Sequence, residues 1–274
     1  MELKNEEFAR IVAFMRKNYG IRLEKKRLLV RDRLVNYLSS NGYESYGEFI
    51  DRCIADPGGR PVEFLVNMLT TNHTYFMREP VHFKFMTEEV LPWLRRECCD
   101  SRDLRIWSAA ASSGEEAYTA AMTMNDFFGY TGRGWEKSIL ATDISKRALK
   151  TAQEGIYTAH HLKDLPAQWL EKYFGKLPDG RYEVKKDVRD SVIFRYFNLM
   201  DPFPFKKKIH VVFLRNVMIY FDRPTKAELL KKVYDAMEEG GYLFTGVTES
   251  IKEEDPGFEY VECSIYRKPA SRRV

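Results

Sequence analysis

The sequence predicts an α/β fold: a mostly parallel sheet with helices on both faces, carrying a small antiparallel insertion and preceded by an all-helical region. Three observations lead there. Residues 1–70 place apolar side chains at helical spacing and show no strand-like alternation. After residue 100, short apolar runs alternate with helical patterns, the rhythm of parallel strands joined by crossover helices. Two strand-like stretches between residues 182 and 196 break that rhythm and read as a separate unit.

In the helical region, Glu6 to Asn18 brings Phe8, Ile11, Val12 and Met15 onto one face, and Lys25 to Leu38 does so for Leu28, Leu34, Val35 and Leu38. Tyr46 to Ile54 and Glu63 to Leu69 continue the pattern on either side of Asp56 to Pro61, whose breaker residues predict a loop. The first strand is expected at Leu104 to Ala109, with a helix starting at Glu115. A second is expected at Ser138 to Asp143, followed by a helix through Ala148 and Ala152. A third runs over His210 to Leu214, with its helix at Thr225 to Glu239. Gly240 and Gly241 then break into a strand at Tyr242 to Thr245, and Phe258 to Tyr266 reads as an antiparallel edge strand. Tyr182 to Lys185 and Val192 to Tyr196, preceded by the turn signal Pro178-Asp179-Gly180, read as the antiparallel insertion.

Composition narrows the function classes. The chain has 274 residues, 44% hydrophobic and 31% charged, which excludes a disordered or fibrous protein and suits one large domain or two. Its 44 Lys+Arg against 40 Asp+Glu give a net charge of +4, too small to indicate nucleic acid, and no nucleic-acid-binding motif accompanies it. The charge is local: residues 16–33 hold eight basic side chains against Glu24 and Asp32. No apolar run approaches the roughly 18–20 residues of a membrane span. The opening stretch MELKNEEFARIVAF is acidic where a signal peptide is basic, so a cytoplasmic protein is expected. Cys53, Cys98, Cys99 and Cys263 lack a disulfide pattern and are expected reduced. His73, His82, His160, His161 and His210 show no metal-ligand spacing, so no metal site is expected, and no GxSxG nucleophile motif occurs.

Candidate chemistry gathers at the carboxyl ends of the predicted strands, where open parallel sheets bind ligands. After the first strand, Ala110-Ala111-Ser112-Ser113-Gly114-Glu115-Glu116 offers one glycine only, so it is not the GxGxxG fingerprint of pyrophosphate binding. Its acidic pair disfavours a phosphate and tolerates a cation such as a sulfonium. Asp143, ending the second strand, suits the ribose hydroxyls of a nucleoside, and equally an N-cap for the helix that follows. The acidic turn and this acid together favour a nucleoside bound without phosphates.

Six stretches then carry a family resemblance. They are Asn72-His73-Thr74-Tyr75-Phe76-Met77-Arg78-Glu79, Trp107 to Tyr118, Ala141-Thr142-Asp143-Ile144, Phe197-Asn198-Leu199, Leu214 to Asp222, and Gly246-Val247-Thr248-Glu249-Ser250. In order and spacing they resemble the motifs of the bacterial chemotaxis methyltransferase family, CheR, over nearly the whole chain. Met77 stands where members usually have a second Phe, and Ala117 where Pro is frequent. The resemblance implies transfer of methyl from S-adenosylmethionine to glutamate side chains of chemoreceptors, leaving S-adenosylhomocysteine. It implies a helical substrate-docking domain at 1–70 and a linker at 71–90 that contributes to the cofactor site. A Rossmann-like class I methyltransferase domain follows at 91–274, with its β-subdomain inserted at about 160–195. By position, Asn72, Thr74 and Arg78 would line the cofactor from the linker side, and Glu116 and Asp143 would hold its polar groups. Asn198 and Leu199 would lie near the adenine, and Arg215 and Asn216 near the amino-acid end.

Within this reading the nucleophile is a glutamate, ionised at neutral pH with a pKa of about 4.3, so no general base is needed. Arg78 and Tyr220 are the candidate catalytic residues: Arg78 to orient either the incoming carboxylate or that of the cofactor, Tyr220 to donate its hydroxyl to the substrate. Tyr220 also reads as a core tyrosine, and Arg215 as half of a structural ion pair. On helical spacing Arg22, Lys26 and Arg33 share a stripe that reads as a docking face for the acidic methylation helices of a receptor, or as a solvated helix face. A monomer is expected, with no nucleic-acid partner and no membrane insertion. The resemblance leaves open whether a receptor C-terminal peptide binds the β-subdomain. Two rival functions remain at this point: a methyltransferase acting on a small acid or on RNA, and a non-catalytic adaptor that senses the cofactor or binds receptors.

Overall fold

The fold is a seven-stranded sheet with helices on both faces, one of those faces capped by the N-terminal helices. The computed structural model describes residues 1–129 and 134–270. Four helices come first: α1 (Asn5–Tyr19), α2 (Arg27–Ser40), α3 (Tyr46–Ala55) and α4 (Arg60–Leu69). Each end has a local cause. Gly20, in the left-handed region at φ 71°, closes α1 by returning its N–H to Arg16. Ser45 caps α3 by accepting from the Glu48 N–H, and Pro61 lies in the first turn of α4, where a missing N–H costs nothing. Glu7 ties α1 to α3: one carboxylate oxygen accepts from Lys4 N and the other from Gly47 N, both at 2.8 Å.

The second region begins with α5 (Pro80–Phe85), which continues through a π-helical turn at Met86–Val90 into α6 (Leu91–Glu97). Then come β1 (Ile106–Ala109), α7 (Glu115–Phe128), β2 (Ile139–Asp143), α8 (Lys146–Glu154), β3 (Ile156–Tyr157), α9 (Ala167–Tyr173), β4 (Phe174–Lys176), β5 (Tyr182–Val184), α10 (Lys186–Arg189) and β6 (Val192–Tyr196). β7 (Ile209–Leu214), α11 (Arg223–Ala236), β8 (Met237–Thr245), β9 (Glu259–Glu262) and β10 (Ile265–Arg267) complete it. The main sheet has the order β6-β2-β1-β7-β8-β10-β9. The first five strands are parallel, and β10 and β9 are antiparallel additions. β3, β5 and β4 form a separate antiparallel sheet.

Strand alternation builds two cores. Val211 and Phe213 join α5, α6 and α7 on one face, while Val212 and Leu214 face the other way. That second face, with Trp107 and Leu243, shares one continuous apolar cluster with Ile11, Met15, Leu34 and Leu65 of the N-terminal helices. The helical domain therefore rests on the sheet and brings Tyr19, Ile21 and Leu69 to the carboxyl ends of the strands. From β1 the chain runs outward to β2 and β6, then returns to β7 on the opposite side. The crevice between β1 and β7 is thus the switch point, where ligands bind in such sheets.

Several expectations are corrected. Leu28 is 65% exposed, and Val30 takes its place in the core beside Leu34 and Leu38. Residues 80–90 are not linker but helix, with Phe83, Met86 and Val90 in the core of the sheet domain. The insertion is made by β3, β4 and β5 over residues 156–184, and Val192–Tyr196 is instead the parallel edge of the main sheet, paired with β2. The last helix stops at Ala236, and β8 runs through Gly240 and Gly241 with a bulge between Ile209 and Val211 of its partner. Phe258 to Tyr266 folds as the hairpin β9–β10 rather than one strand. The stripe of Arg22, Lys26 and Arg33 does not lie on one helix, because α1 ends at Tyr19 and α2 starts at Arg27.

Candidate functional site

The turn after β1 is held in unusual geometry. Ala110, Ser112 and Gly114 all have positive φ, at 61°, 51° and 95°. Gly114 is required: a Cβ there would lie 2.8 Å from Ala152 Cβ and 3.0 Å from Phe194 Cζ. Asp143 braces this turn from β2. Its Oδ2 accepts from Ser112 N and its Oδ1 from Ser145 N, each at 2.8 Å. The cap of α8 is Ser145, whose Oγ accepts from Ala148 N, so the N-cap reading of Asp143 is overturned. Burial pushes the Asp143 carboxyl up against the pull of the Ser145, Ser112 and Ile144 amides. A carboxylate offers about four acceptor positions, so Asp143 retains capacity toward the cleft it lines.

That cleft is mostly apolar, walled by Tyr19, Ile21, Leu69, Ile144, Phe197, Leu199 and Phe221, with Asp143, Asn72, Asn216, Ser112, Thr70 and Thr71 among its polar points. Asn198 lines it too, but its side chain is committed elsewhere, donating to Asn18 O at 2.7 Å and accepting from Met200 N at 3.1 Å. Through Asn72, Ala110, Ser112 and Asn216 the cleft continues into a polar chamber lined by Thr74, Tyr75, Arg78, Glu116 and Arg215. All nine residues expected at the cofactor thus fall on one or other of these connected spaces.

Their roles differ from one another. Arg78 donates to His73 O at 3.0 Å and stands 5.9 Å from the Tyr75 ring, with no carboxylate partner among the described residues. Arg215 is 5% exposed and fully engaged: Nη1 bonds Glu116 at 2.8 Å, Nη2 bonds Glu79 at 3.1 Å and also Arg78 O, and Nε reaches Glu79 at 3.3 Å. The structural ion-pair reading of Arg215 is therefore realised, and it is the guanidinium of Arg78 that is free to meet a ligand. Glu116 accepts from Ser108 Oγ at 2.7 Å as well; burial pushes its carboxyl up, against Arg215 and Ser108. Asn216, at φ 57°, has its N–H on Glu249 Oε2 at 2.6 Å, and the same carboxylate takes Gly246 N at 2.9 Å and Ile219 N at 3.1 Å. Glu79 and Glu249 were not foreseen as site residues. Both lie within the quoted motifs, but nothing in their local sequence signals the loops they join.

The acidic pair at the start of α7 divides. Glu116 faces the site, whereas Glu115 is buried toward the small sheet, accepting from Ser113 Oγ at 2.8 Å, with no hydrogen-bond partner for its Oε1 among the described residues and His161 Nε2 4.0 Å away. Burial raises its pKa from 4.5 to about 7. Across that window the unfolded chain releases the proton and the folded chain keeps it, so folding weakens as pH rises. The loss saturates on the order of 3 kcal/mol. Glu115→Gln is therefore expected to lose less melting temperature than the parent between about pH 5 and about pH 8. Parallel melting curves in scanning fluorimetry would refute this reading.

Tyr220 borders both the cleft and an outer groove lined by Arg22, Lys25, Lys26 and Ile219, together with Arg16 and the two acids it pairs with, Glu24 and Asp222. Arg22 N donates to Tyr220 O at 3.0 Å, and Lys26 Nζ lies 5.4 Å from the Tyr220 ring. Arg33 is not part of this surface. Its Nη1 donates to Met68 O at 2.7 Å and Thr70 O at 3.1 Å, closing the end of α4, which corrects its place in the docking stripe.

Comparison with known proteins agrees with this arrangement. Residues 72–267 match the family described as "CheR methyltransferase, SAM binding domain", and residues 6–70 match "CheR methyltransferase, all-alpha domain". A chemotaxis protein methyltransferase of Borreliella burgdorferi is 37% identical over 272 residues, 98% of this chain and 96% of its own. Chemotaxis protein methyltransferase 1 of Pseudomonas aeruginosa is 36% identical, covering 97% and 99%, and that of Escherichia coli K12 is 34% identical, covering 97% and 92%.

Proposed function

The chain belongs to the CheR methyltransferase family, as a methyltransferase dependent on S-adenosylmethionine, and from that premise we propose that it methylates glutamate side chains of chemoreceptors to give methyl esters. The donor set suits the cofactor. An apolar cleft beside a carboxylate matches a purine with its ribose hydroxyls, and a polar chamber with a free guanidinium beside Glu116 matches an amino-acid end carrying both charges. When bound, the cofactor supplies a methyl group activated on a sulfonium.

The protein's own work is positioning. Asp143 presents acceptors at the strand end, and the strained Ala110–Gly114 turn brings backbone close to the ligand. Arg78, in the polar chamber, orients the carboxylate of the cofactor's amino-acid end, and Tyr220, standing in the wall between cleft and outer groove, offers a hydroxyl to the substrate carboxylate. Alignment of this kind is worth at most about 7–11 kcal/mol of the barrier, enough without a proton-transfer residue.

The shared Tyr220 wall carries the reading. Arg22 and Lys26, with Lys25, line the groove directly outside the cofactor cleft, so an acidic helix held there delivers a carboxylate to the cleft mouth. The protein is proposed to act in the cytoplasm as a monomer on the receptors' methylation helices. Radiolabelled methyl from the cofactor is expected in receptor fragments as base-labile esters. Arg22→Glu with Lys26→Glu should lower receptor kcat/KM about tenfold or more while S-adenosylhomocysteine affinity stays the same. Label appearing in RNA or a small acid rather than the receptor would replace the proposed substrate, and no transfer at all would favour an adaptor.

A further inference from the structure

The last residue before α5, Glu79, does not line the cleft, yet it gathers the loops that do. Its Oε2 accepts from Arg215 Nη2 at 3.1 Å, Arg215 Nε at 3.3 Å and Val247 N at 3.3 Å, and its Oε1 accepts from Asn216 Nδ2 at 3.2 Å. One carboxylate therefore joins the linker, the loop after β7 and the loop after β8. Its backbone is strained to do so. Glu79 has φ 57° and ψ 65°, a left-handed conformation rare for a side-chain-bearing residue and further disfavoured before Pro80.

His82 supplies the reason the carboxylate faces the site. This histidine is fully buried, and its Nε2 donates to Cys263 O at 2.8 Å. Burial and then Arg215 lower its pKa to about 4, so at neutral pH the ring is uncharged and Nδ1 carries a lone pair; it has no hydrogen-bond partner among the described residues and stands 3.5 Å from Glu79 Oε2. Acceptor faces acceptor, so an inward turn gains Glu79 nothing, and its bonding capacity is spent on Arg215 and Asn216. Burial acts to raise the Glu79 carboxyl, but Arg215 and Asn216 together hold it below its ordinary range, so it is ionised when they meet it.

We propose that Glu79 is a positioning residue for methyl transfer: by fixing and neutralising Arg215 and orienting Asn216, it shapes the amino-acid end of the cofactor site and leaves Arg78 the cation free to bind there. This rests on the cofactor site described above. Without Glu79, Arg215 keeps Glu116 as its one carboxylate partner beside the Arg78 carbonyl, and its guanidinium is freer to turn into the chamber, where it competes with Arg78 for a carboxylate and repels a sulfonium.

Glu79→Gln is the informative substitution. The amide NH2 can donate to His82 Nδ1, which satisfies the interior and releases Arg215. The variant is expected to fold, with S-adenosylhomocysteine Kd by calorimetry and the KM for S-adenosylmethionine both raised about tenfold or more, and with the loss in KM exceeding that in kcat. Glu79→Asp keeps the charge but cannot reach Arg215 and Asn216 together, and should shift KM the same way by less; it carries the test should the Gln variant not fold. Unchanged Kd and KM in these variants, or a fall in kcat and melting temperature with KM retained, would overturn the proposal. Absence of S-adenosylhomocysteine binding by the parent protein would instead overturn the cofactor site itself.

Discussion

Arg78→Ala is expected to lower the methylation kcat/KM by about a hundredfold or more, while leaving stability within roughly 0.5 kcal/mol. Both halves come from its contacts. The guanidinium has one backbone acceptor and one aromatic neighbour, and no described carboxylate depends on it. Its removal strands no buried charge. Arg215→Ala is the contrast: it leaves Glu79 and Glu116 without their cation in a buried setting, a loss on the order of 3–5 kcal/mol. A loss of activity there would say nothing about the reaction. Arg78→Lys should recover little, since a point charge does not reproduce two parallel donors for a carboxylate. Initial rates at varied cofactor and varied receptor fragment, beside melting curves, check this. A rise confined to the cofactor KM would assign Arg78 to the cofactor's carboxylate, a fall in kcat to the substrate's, and an unchanged kcat/KM would remove it from the site.

The contrast between the two arginines shows what could be read from sequence. Both were placed at the cofactor by motif, and both line the chamber. Which one is free depends on Glu79, which lies 136 positions from Arg215 in the chain. No local pattern reports a partner at that distance. The same limit governs the strained residues. Ala110, Ser112, Glu79 and Asn216 all have positive φ at the site, and none is a residue type that announces it, apart from asparagine's modest tolerance. Gly114 was legible as a turn residue because glycine is the ordinary occupant of such a position.

The sheet was legible where burial is two-sided. His210 to Leu214 is apolar apart from its histidine, every residue of β7 is buried, and the prediction missed its start by one residue. Val192 to Tyr196 buries only Val192 and Phe194, and its strand character beside Tyr182 to Lys185 was read as part of the antiparallel unit. An edge strand of a parallel sheet is also open on one side, so the pattern does not separate the two. Tyr182 to Val184 did join the small sheet, but its partners β3 and β4 are only two and three residues long, below the length at which periodicity carries a signal. The basic run failed differently. Gly20 ends α1 within it, so residues spaced as on one helix were divided: Arg22 and Lys26 reached the groove beside Tyr220, and Arg33 became a cap on α4.

Asp143→Ala is expected to weaken S-adenosylhomocysteine binding about a hundredfold. Two hydrogen bonds donated by ribose hydroxyls to a charged acceptor, at about 1.5 kcal/mol each, account for that factor. The substitution also releases Ser112 N and Ser145 N, so the Ala110–Gly114 turn loses its brace and the melting temperature should fall together with affinity. Asp143→Asn separates charge from size. Its amide has a single oxygen, and one face of it would present NH2 to an N–H of Ser112 or Ser145, so it is expected to bind little better than the alanine variant. The parent protein offers an independent check through pH. Because burial raises the Asp143 carboxyl, the charged acceptor is lost as pH falls through a value above the ordinary aspartate range, and cofactor affinity should decline there with it. In Asp143→Asn that contribution to the acid decline should be absent. Calorimetric affinities that are equal in parent and both variants would remove Asp143 from the cofactor site and leave it a brace for the turn alone.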